Sequence, residues 1–172
     1  MNQKEKKVVN IAIMTVSDTR TVTDDKSGDT LVNRAKAAGH FVVEKRIVID
    51  DIDTIQSLLR EWLTNPEVDV IIATGGTGVT GRDVTPEAFE AVYEKSIPGF
   101  GELFRWISYQ KIKTSTIQSR ATAGVANGKM LFALPGSTGA CKDGWDEIIS
   151  HQLDSTHKPC NLVELMPRML EK

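Results

Sequence analysis

The chain has 172 residues, with 21 Lys and Arg against 23 Asp and Glu, a formal net charge of −2 and a pI near 5.9. That length suits one domain with a real core over residues 1–172. The near balance of charge excludes a general electrostatic claim on DNA, RNA or an anionic membrane. No run approaches the roughly 18 apolar residues of a membrane span, and the start, MNQKEKKVVN, lacks the apolar core of a signal peptide. Cys141 and Cys160 fit neither a disulfide framework nor a zinc motif, so the expectation is an unexported cytoplasmic protein with reduced thiols.

After a polar extension over 1–7, residues 10–16 (NIAIMTV) form a short β-branched, apolar run closed by Ser17 and Asp18, as a strand buried on both faces requires. Leu31, Val32, Ala35 and Ala38 then recur at helical spacing behind Ser27 and Gly28. A second strand is predicted over 41–49, closed by Asp50 and Asp51, and a second helix carries Ile52, Ile55, Leu59 and Trp62 on one face. Residues 68–74 (VDVIIAT) give a third strand and run into TGGTGVTGRDVTPE. There Thr85, Pro86 and Glu87 predict a helix start, with the Thr hydroxyl at the cap and Phe89, Val92 and Tyr93 inward. A further helix is expected over 101–110 with Leu103, Phe104 and Ile107 inward, then a strand over 130–134. A last helix from Ser137 gathers Cys141, Trp145, Ile148 and Ile149, before a tail over 159–172 without clear periodicity. The alternation predicts an α/β fold, with helices on both faces of a mainly parallel sheet.

In such sheets ligands bind beyond the carboxyl ends of the strands. Those ends deliver Ser17 and Asp18, then Asp50 and Asp51, then Thr74, Gly75, Gly76, Thr77 and Gly78, and finally Pro135, Gly136 and Ser137. A glycine-rich turn lets backbone N–H groups approach an anion, and a nearby acid can hold the metal that accompanies phosphate. Gly76, Gly78 and Gly81 satisfy G-x-G-x-x-G formally, but no helix opens at once. The P-loop pattern fails as well, since Arg82 and Asp83 stand where Lys and a hydroxyl residue belong.

Asp83, just beyond the glycines, would face the same anion, and Mg²⁺ is the cation that would relieve their repulsion. A simpler role for Asp83 is to tie its own turn or pair with Arg82. On spacing alone Asp50 reads first as a helix cap, in competition with Asp51 and Asp53, and Ser17 with Asp18 reads first as a turn. His40, His151 and His157 have no metal-cluster spacing, and Trp62, Trp106 and Trp145 fall on apolar faces as core.

The ordered set TVSD (15–18), Asp50, TGGTG (74–78), RDVTPEA (82–88), PGFGE (98–102), SRA (119–121) and LPGS (134–137) resembles the molybdenum cofactor biosynthesis proteins of the MoaB and MogA type. Gephyrin and plant molybdopterin adenylyltransferases carry a similar domain. The segments KTSTIQSRATAGVANGK (113–129) and HKPCN (157–161) look like the MoaB branch. The resemblance implies a three-layer α/β/α sandwich assembling as a trimer or a dimer of trimers. It also implies Mg²⁺-dependent transfer of AMP from ATP to the terminal phosphate of molybdopterin, with other proteins of the pathway as partners. By position, Asp50 and Asp83 match the acidic pair that holds Mg²⁺. Thr74, Gly75, Gly76, Thr77 and Gly78 match the phosphate-cradling loop, and Ser17, Asp18, Pro135, Gly136 and Ser137 match ligand-lining turns. A binding or scaffold protein without turnover is the alternative.

Overall fold

The computed structural model describes residues 6–171, so most of the polar extension and the last residue of the tail lie outside it. The first strand, β1 (Asn10–Val16), is buried beyond Asn10 and pairs in parallel with β2 (Phe41–Val48) and with β3 (Val70–Thr74). On its other side β3 pairs in parallel with β6 (Lys129–Leu134). The pleat divides each apolar run between two cores. Ile11, Ile13, Val70, Ile72, Met130 and Phe132 face one, whereas Ala12, Met14, Ile71, Ala73, Leu131 and Ala133 face the other. These strands read as continuous apolar runs because both faces are covered.

Helix α1 (Lys26–Ala37) brings Leu31 and Ala35 to the first core, α4 (Pro98–Ile112) brings Phe100 and Phe104, and α5 (Thr138–Gly144) brings Cys141. A π-helical turn (Trp145–Ile149) and the one-turn α6 (Ser150–Gln152) continue α5 and add Trp145, Ile148 and Ile149. The second core is closed by α2 (Ile52–Thr64), through Ile55, Leu59 and Trp62, and by α3 (Thr85–Glu90), through Ala88 and Phe89. The result is the expected three-layer α/β/α sandwich. Truncating one of these fully buried aliphatic side chains to Ala costs about 2–5 kcal/mol.

The strand order is β2-β1-β3-β6-β5-β4, with β5 (Thr122–Ala126) antiparallel to β6 and the two-residue β4 (Lys95–Ser96) antiparallel to β5. Neither β4 nor β5 was expected. The sequence of β5, TAGVA, has few β-branched residues and a glycine, and that glycine serves packing: a Cβ on Gly124 would run into the Tyr93 ring.

Other expectations need correction. Ile52 is 38% exposed at the start of α2, and Trp106 is 64% and Leu103 41% exposed, so α4 buries its Phe100 and Phe104 edge with Ile107 packed beside it and leaves an apolar strip outward. Thr85 does not cap α3; the cap position is Val84, and the Thr85 hydroxyl donates to the Gly75 carbonyl at 2.8 Å. The helix ends at Glu90, so Val92 and Tyr93 pack on the second core from the following turn. The tail carries a 3₁₀ turn (Val163–Arg168) that buries Val163 on the first core.

Candidate active site

Register aligns the carboxyl ends of the parallel strands, pairing Val16 with Val48, Thr15 with Thr74 and Thr74 with Leu134. The chain then leaves β1 for α1 on one face and β3 for α3 on the other, which opens a crevice between them at the switch of strand order. There lies a cleft of about 650 Å³ lined by Ser17, Asp50, Gly75, Gly76, Thr77, Gly78, Asp83, Pro135, Gly136 and Ser137. Of the site residues expected from sequence, Asp18 and Thr74 do not line it. Thr74 is fully buried, donating to the Pro135 carbonyl at 3.0 Å and accepting from the Cys141 thiol at 3.1 Å. Asp18 stands behind the rim. Its carboxylate accepts from the Asp50 amide at 3.0 Å and from the fork of Arg82 at 2.8 and 2.9 Å.

The glycine loop needs its glycines. Gly75 and Gly76 have φ of +103° and +65°, a left-handed backbone that L side chains resist. A Cβ on Gly75 would collide with the Val16 carbonyl, and one on Gly76 would sit 2.8 Å from an Asp50 carboxylate oxygen. One on Gly78 would sit 2.8 Å from an Asp83 carboxylate oxygen. The two acids therefore flank the same loop, at Gly76 and Gly78. Thr85 locks the loop's start by donating its hydroxyl to Gly75 and its amide to Gly76 at 3.0 Å.

Asp83 does tie its own turn, accepting from the Thr80 amide at 2.9 Å and the Thr80 hydroxyl at 2.6 Å. Burial alone would push its carboxyl up, but those two bonds and the Gly78 amide outweigh it and hold the group below its ordinary value. Asp50 goes the other way: burial first, then the Asp18 carboxylate, raise it above the ordinary 3.8, and Asp83 adds to the push. The Asp18 amide and the Arg82 guanidinium offset only part of this. Asp50 is not the cap of α2. Asp51 takes that role, accepting from the Thr54 amide at 2.8 Å, which leaves the Asp50 carboxylate in the cleft.

Ser17 and Ser137 serve the backbone while lining the cleft. Ser17 accepts from the Arg20 amide at 3.2 Å, and Ser137 caps α5 by accepting from the Ala140 amide at 3.1 Å. Neither has a histidine beside it in the cleft lining, so no serine nucleophile is assembled there.

Two cationic residues and one wall were missed. Arg20 lines the cleft, held by Ser27, by the Gly136 carbonyl at 2.7 Å and by buried Asp25 at 3.6 Å. Arg82 lines it too, fixed by Asp18. The far wall, Phe104, Ser108, Ser115, Gln118 and Ser119, comes from α4 and the 3₁₀ turn after it (Lys113–Gln118). The signals for the arginines were present in TVSDTR and RDVTPE; nothing local in the sequence pointed to the wall.

Among the described residues no group of three or more His, Cys, Asp and Glu could cage a metal. Two carboxylates beside main-chain amides suit Mg²⁺, which takes one or two carboxylates and fills its remaining positions with phosphate oxygens and water. They do not suit a structural zinc.

A family profile described as a probable molybdopterin binding domain matches residues 12–155. The chain is 48% identical over 151 residues to Molybdenum cofactor biosynthesis protein B of Escherichia coli (strain K12), covering 88% of this chain and 89% of that one. A crystal structure of a Molybdenum cofactor biosynthesis protein B is similar with a TM-score of 0.85 at 44% identity, covering 87% of this chain and 94% of the other. That of the tungsten cofactor synthesizing protein MoaB from Pyrococcus furiosus has a TM-score of 0.76 at 35% identity, covering 84% and 92%.

Proposed function

Since the chain belongs to the molybdenum cofactor biosynthesis family with the probable molybdopterin binding domain, we propose that it is a molybdopterin adenylyltransferase using ATP and Mg²⁺. The observation that carries this is the pair Asp50 and Asp83, set beside Gly76 and Gly78 of one glycine loop in one cleft. In the reaction a terminal phosphate oxygen of molybdopterin attacks the α-phosphorus of ATP. A new P–O bond forms, the bond to the β-phosphate oxygen breaks, and pyrophosphate leaves. No side-chain nucleophile is needed, so the protein contributes positioning and charge.

The amides of the glycine loop receive phosphate oxygens, while Arg20 and Arg82 supply positive charge from the neighbouring turns. Asp50 and Asp83 would hold Mg²⁺, which when bound neutralises phosphate charge between them. The crowding that raises Asp50 becomes favourable once a dication shares the site. The hydroxyls of Ser108 and Ser115 and the amide of Gln118 leave the far wall able to hydrogen-bond the rest of a polar substrate.

Assembly as a trimer or a dimer of trimers is part of the same proposal, supported by the outward apolar strip of Trp106, Tyr109, Ile112 and Ile117. So are a cytoplasmic setting and contacts with other proteins of the pathway. Among the described residues no helix is long and apolar enough to cross a membrane. The test is incubation with molybdopterin, ATP and Mg²⁺. Adenylylated pterin by mass spectrometry, with stoichiometric pyrophosphate, is the expected result. Pterin binding without ATP-dependent pyrophosphate release would make the protein a scaffold instead.

A further inference from the structure

Arg120 does not line the active-site cleft, yet it holds the glycine loop at several points. Its Nε donates to the Gly78 carbonyl at 2.7 Å, its Nη2 to the Asp83 carbonyl at 2.7 Å, and its own amide to the Thr77 carbonyl at 2.9 Å. The remaining nitrogen, Nη1, pairs with Glu87 on α3. Behind it, Arg105 donates to the Ala121 carbonyl at 3.2 Å and steadies the segment from which Arg120 projects.

We infer that Arg120 is a positioning residue: its guanidinium fixes the distance between the amide cradle at Gly78 and the carboxylate-bearing turn at Asp83, with Glu87 orienting the fork. This deepens the adenylyl-transfer proposal and rests on it for its consequence. A solvated ion pair with Glu87 alone would be worth little and would leave the two loop carbonyls unbonded. One rigid planar group spanning carbonyls five residues apart sets the loop's width instead, and that width governs where Asp83 stands relative to Gly78, whose Cβ position lies 2.8 Å from the Asp83 carboxylate. A lysine cannot reproduce it, because a single ammonium lacks the fork.

The test compares wild type with Arg120→Met and Arg120→Lys by amide hydrogen exchange on the free protein and by pyrophosphate release. In Arg120→Met the amides of Thr80, Asp83 and Thr85, all bonded within the loop, should exchange about tenfold faster or more, while those of Ile13 and Ile72 keep wild-type rates. Turnover should fall by about a hundredfold, as expected when reacting groups shift by an ångström or so. Arg120→Lys should recover only part of both.

Unchanged loop exchange in Arg120→Met, or a Lys variant equal to wild type in both measurements, overturns the inference. If Arg120→Met loosens β1 and β3 as well, Arg120→Lys decides: faster exchange confined to the loop supports the clamp, and wild-type exchange there refutes it. Because exchange needs no substrate, a wild-type protein that never releases pyrophosphate defeats the proposed function without touching the clamp.

Discussion

The turn after β2 and the loop after β3 each bring one carboxylate to the cleft, and they treat it in opposite ways. In the loop, Asp83 is bonded by the Thr80 hydroxyl and amide and is held below its ordinary value. In the turn, Asp51 takes the capping bond and Asp50 is left partly buried near two other acids, pushed above 3.8. One acid is bonded by its own turn and the other is crowded by like charge. The comparison shows one residue type under two electrostatic regimes: a carboxylate bonded by its own turn is held ionised, whereas a crowded one resists ionisation, and under the proposed function both would gain from a shared dication.

The largest effect expected from this contrast is kinetic. Asp50→Asn and Asp83→Asn should each lower pyrophosphate release by roughly a thousandfold, the scale lost when a group acting on transition-state charge is removed. Asn is the informative replacement at 83, since its carbonyl can still accept from Thr80 and only the charge is lost. Wild-type turnover in either variant would remove that acid from the site.

Next in size is Gly76→Ala. A Cβ there meets the Thr85 hydroxyl and the Asp50 carboxylate on a backbone at φ +65°, so the expected loss is about 1–3 kcal/mol in denaturant unfolding, with turnover reduced beyond that because Asp50 is displaced. Gly81→Ala, with nothing within 4 Å of the added carbon, is the control. Equal behaviour of the two variants would show that the loop tolerates what its geometry forbids.

How far the sequence carried these distinctions depended on whether the deciding contact was local. Strands β1, β3 and β6 were legible because burial on both faces writes itself as an uninterrupted apolar run. The β5 strand was not, because what fixes it is a long-range fit of Gly124 against Tyr93. The glycine loop and Asp83 could be named from spacing; Asp50 read there as a cap and was singled out only by the family resemblance, and the treatment of neither acid was legible. Asp50 and Asp51 are adjacent and chemically identical, and only the path of the chain decides which one caps α2. Thr85 carried every mark of a helix cap and instead serves Gly75, a partner ten residues back. The far wall of the cleft was hidden for a related reason: α4 uses a narrow inward edge, and its Ser108 faces the cleft from a helix whose Leu103, Trp106 and Tyr109 are exposed.

A smaller effect tests the comparison by its sign. Asp83 has a depressed folded value, so its stabilisation is present above 3.8 and is lost as pH falls through that lower value. Asp50 has a raised one, so its contribution is greatest below 3.8 and disappears as pH rises through the elevated folded value. At pH 7 without Mg²⁺, Asp83→Asn should therefore destabilise the fold and Asp50→Asn should stabilise it, each by about 1 kcal/mol or less after solvent screening. Adding Mg²⁺ and ATP should reverse the advantage of Asp50→Asn, since only the wild type gains from binding. The same sign for both variants in thermal unfolding would break the contrast.

The smallest expected effect comes from an acid that resembles Asp83 in bonding but lies outside the cleft. Asp154 accepts from the Thr156 amide at 2.8 Å and its hydroxyl at 2.7 Å, pairs with Lys6 at 3.3 Å, and is lowered from 3.8 to about 2, chiefly by the Thr156 bonds. Its stabilisation should be present above pH 3.8 and lost as pH falls toward about 2. Being partly exposed and screened by solvent, it is worth under about 1 kcal/mol. Asp154→Asn should flatten that part of the acid-unfolding curve and leave pyrophosphate release untouched. If it lowered turnover as Asp83→Asn does, the loss at Asp83 could be ascribed to a disrupted turn, and the charge at the cleft would no longer be needed to explain it.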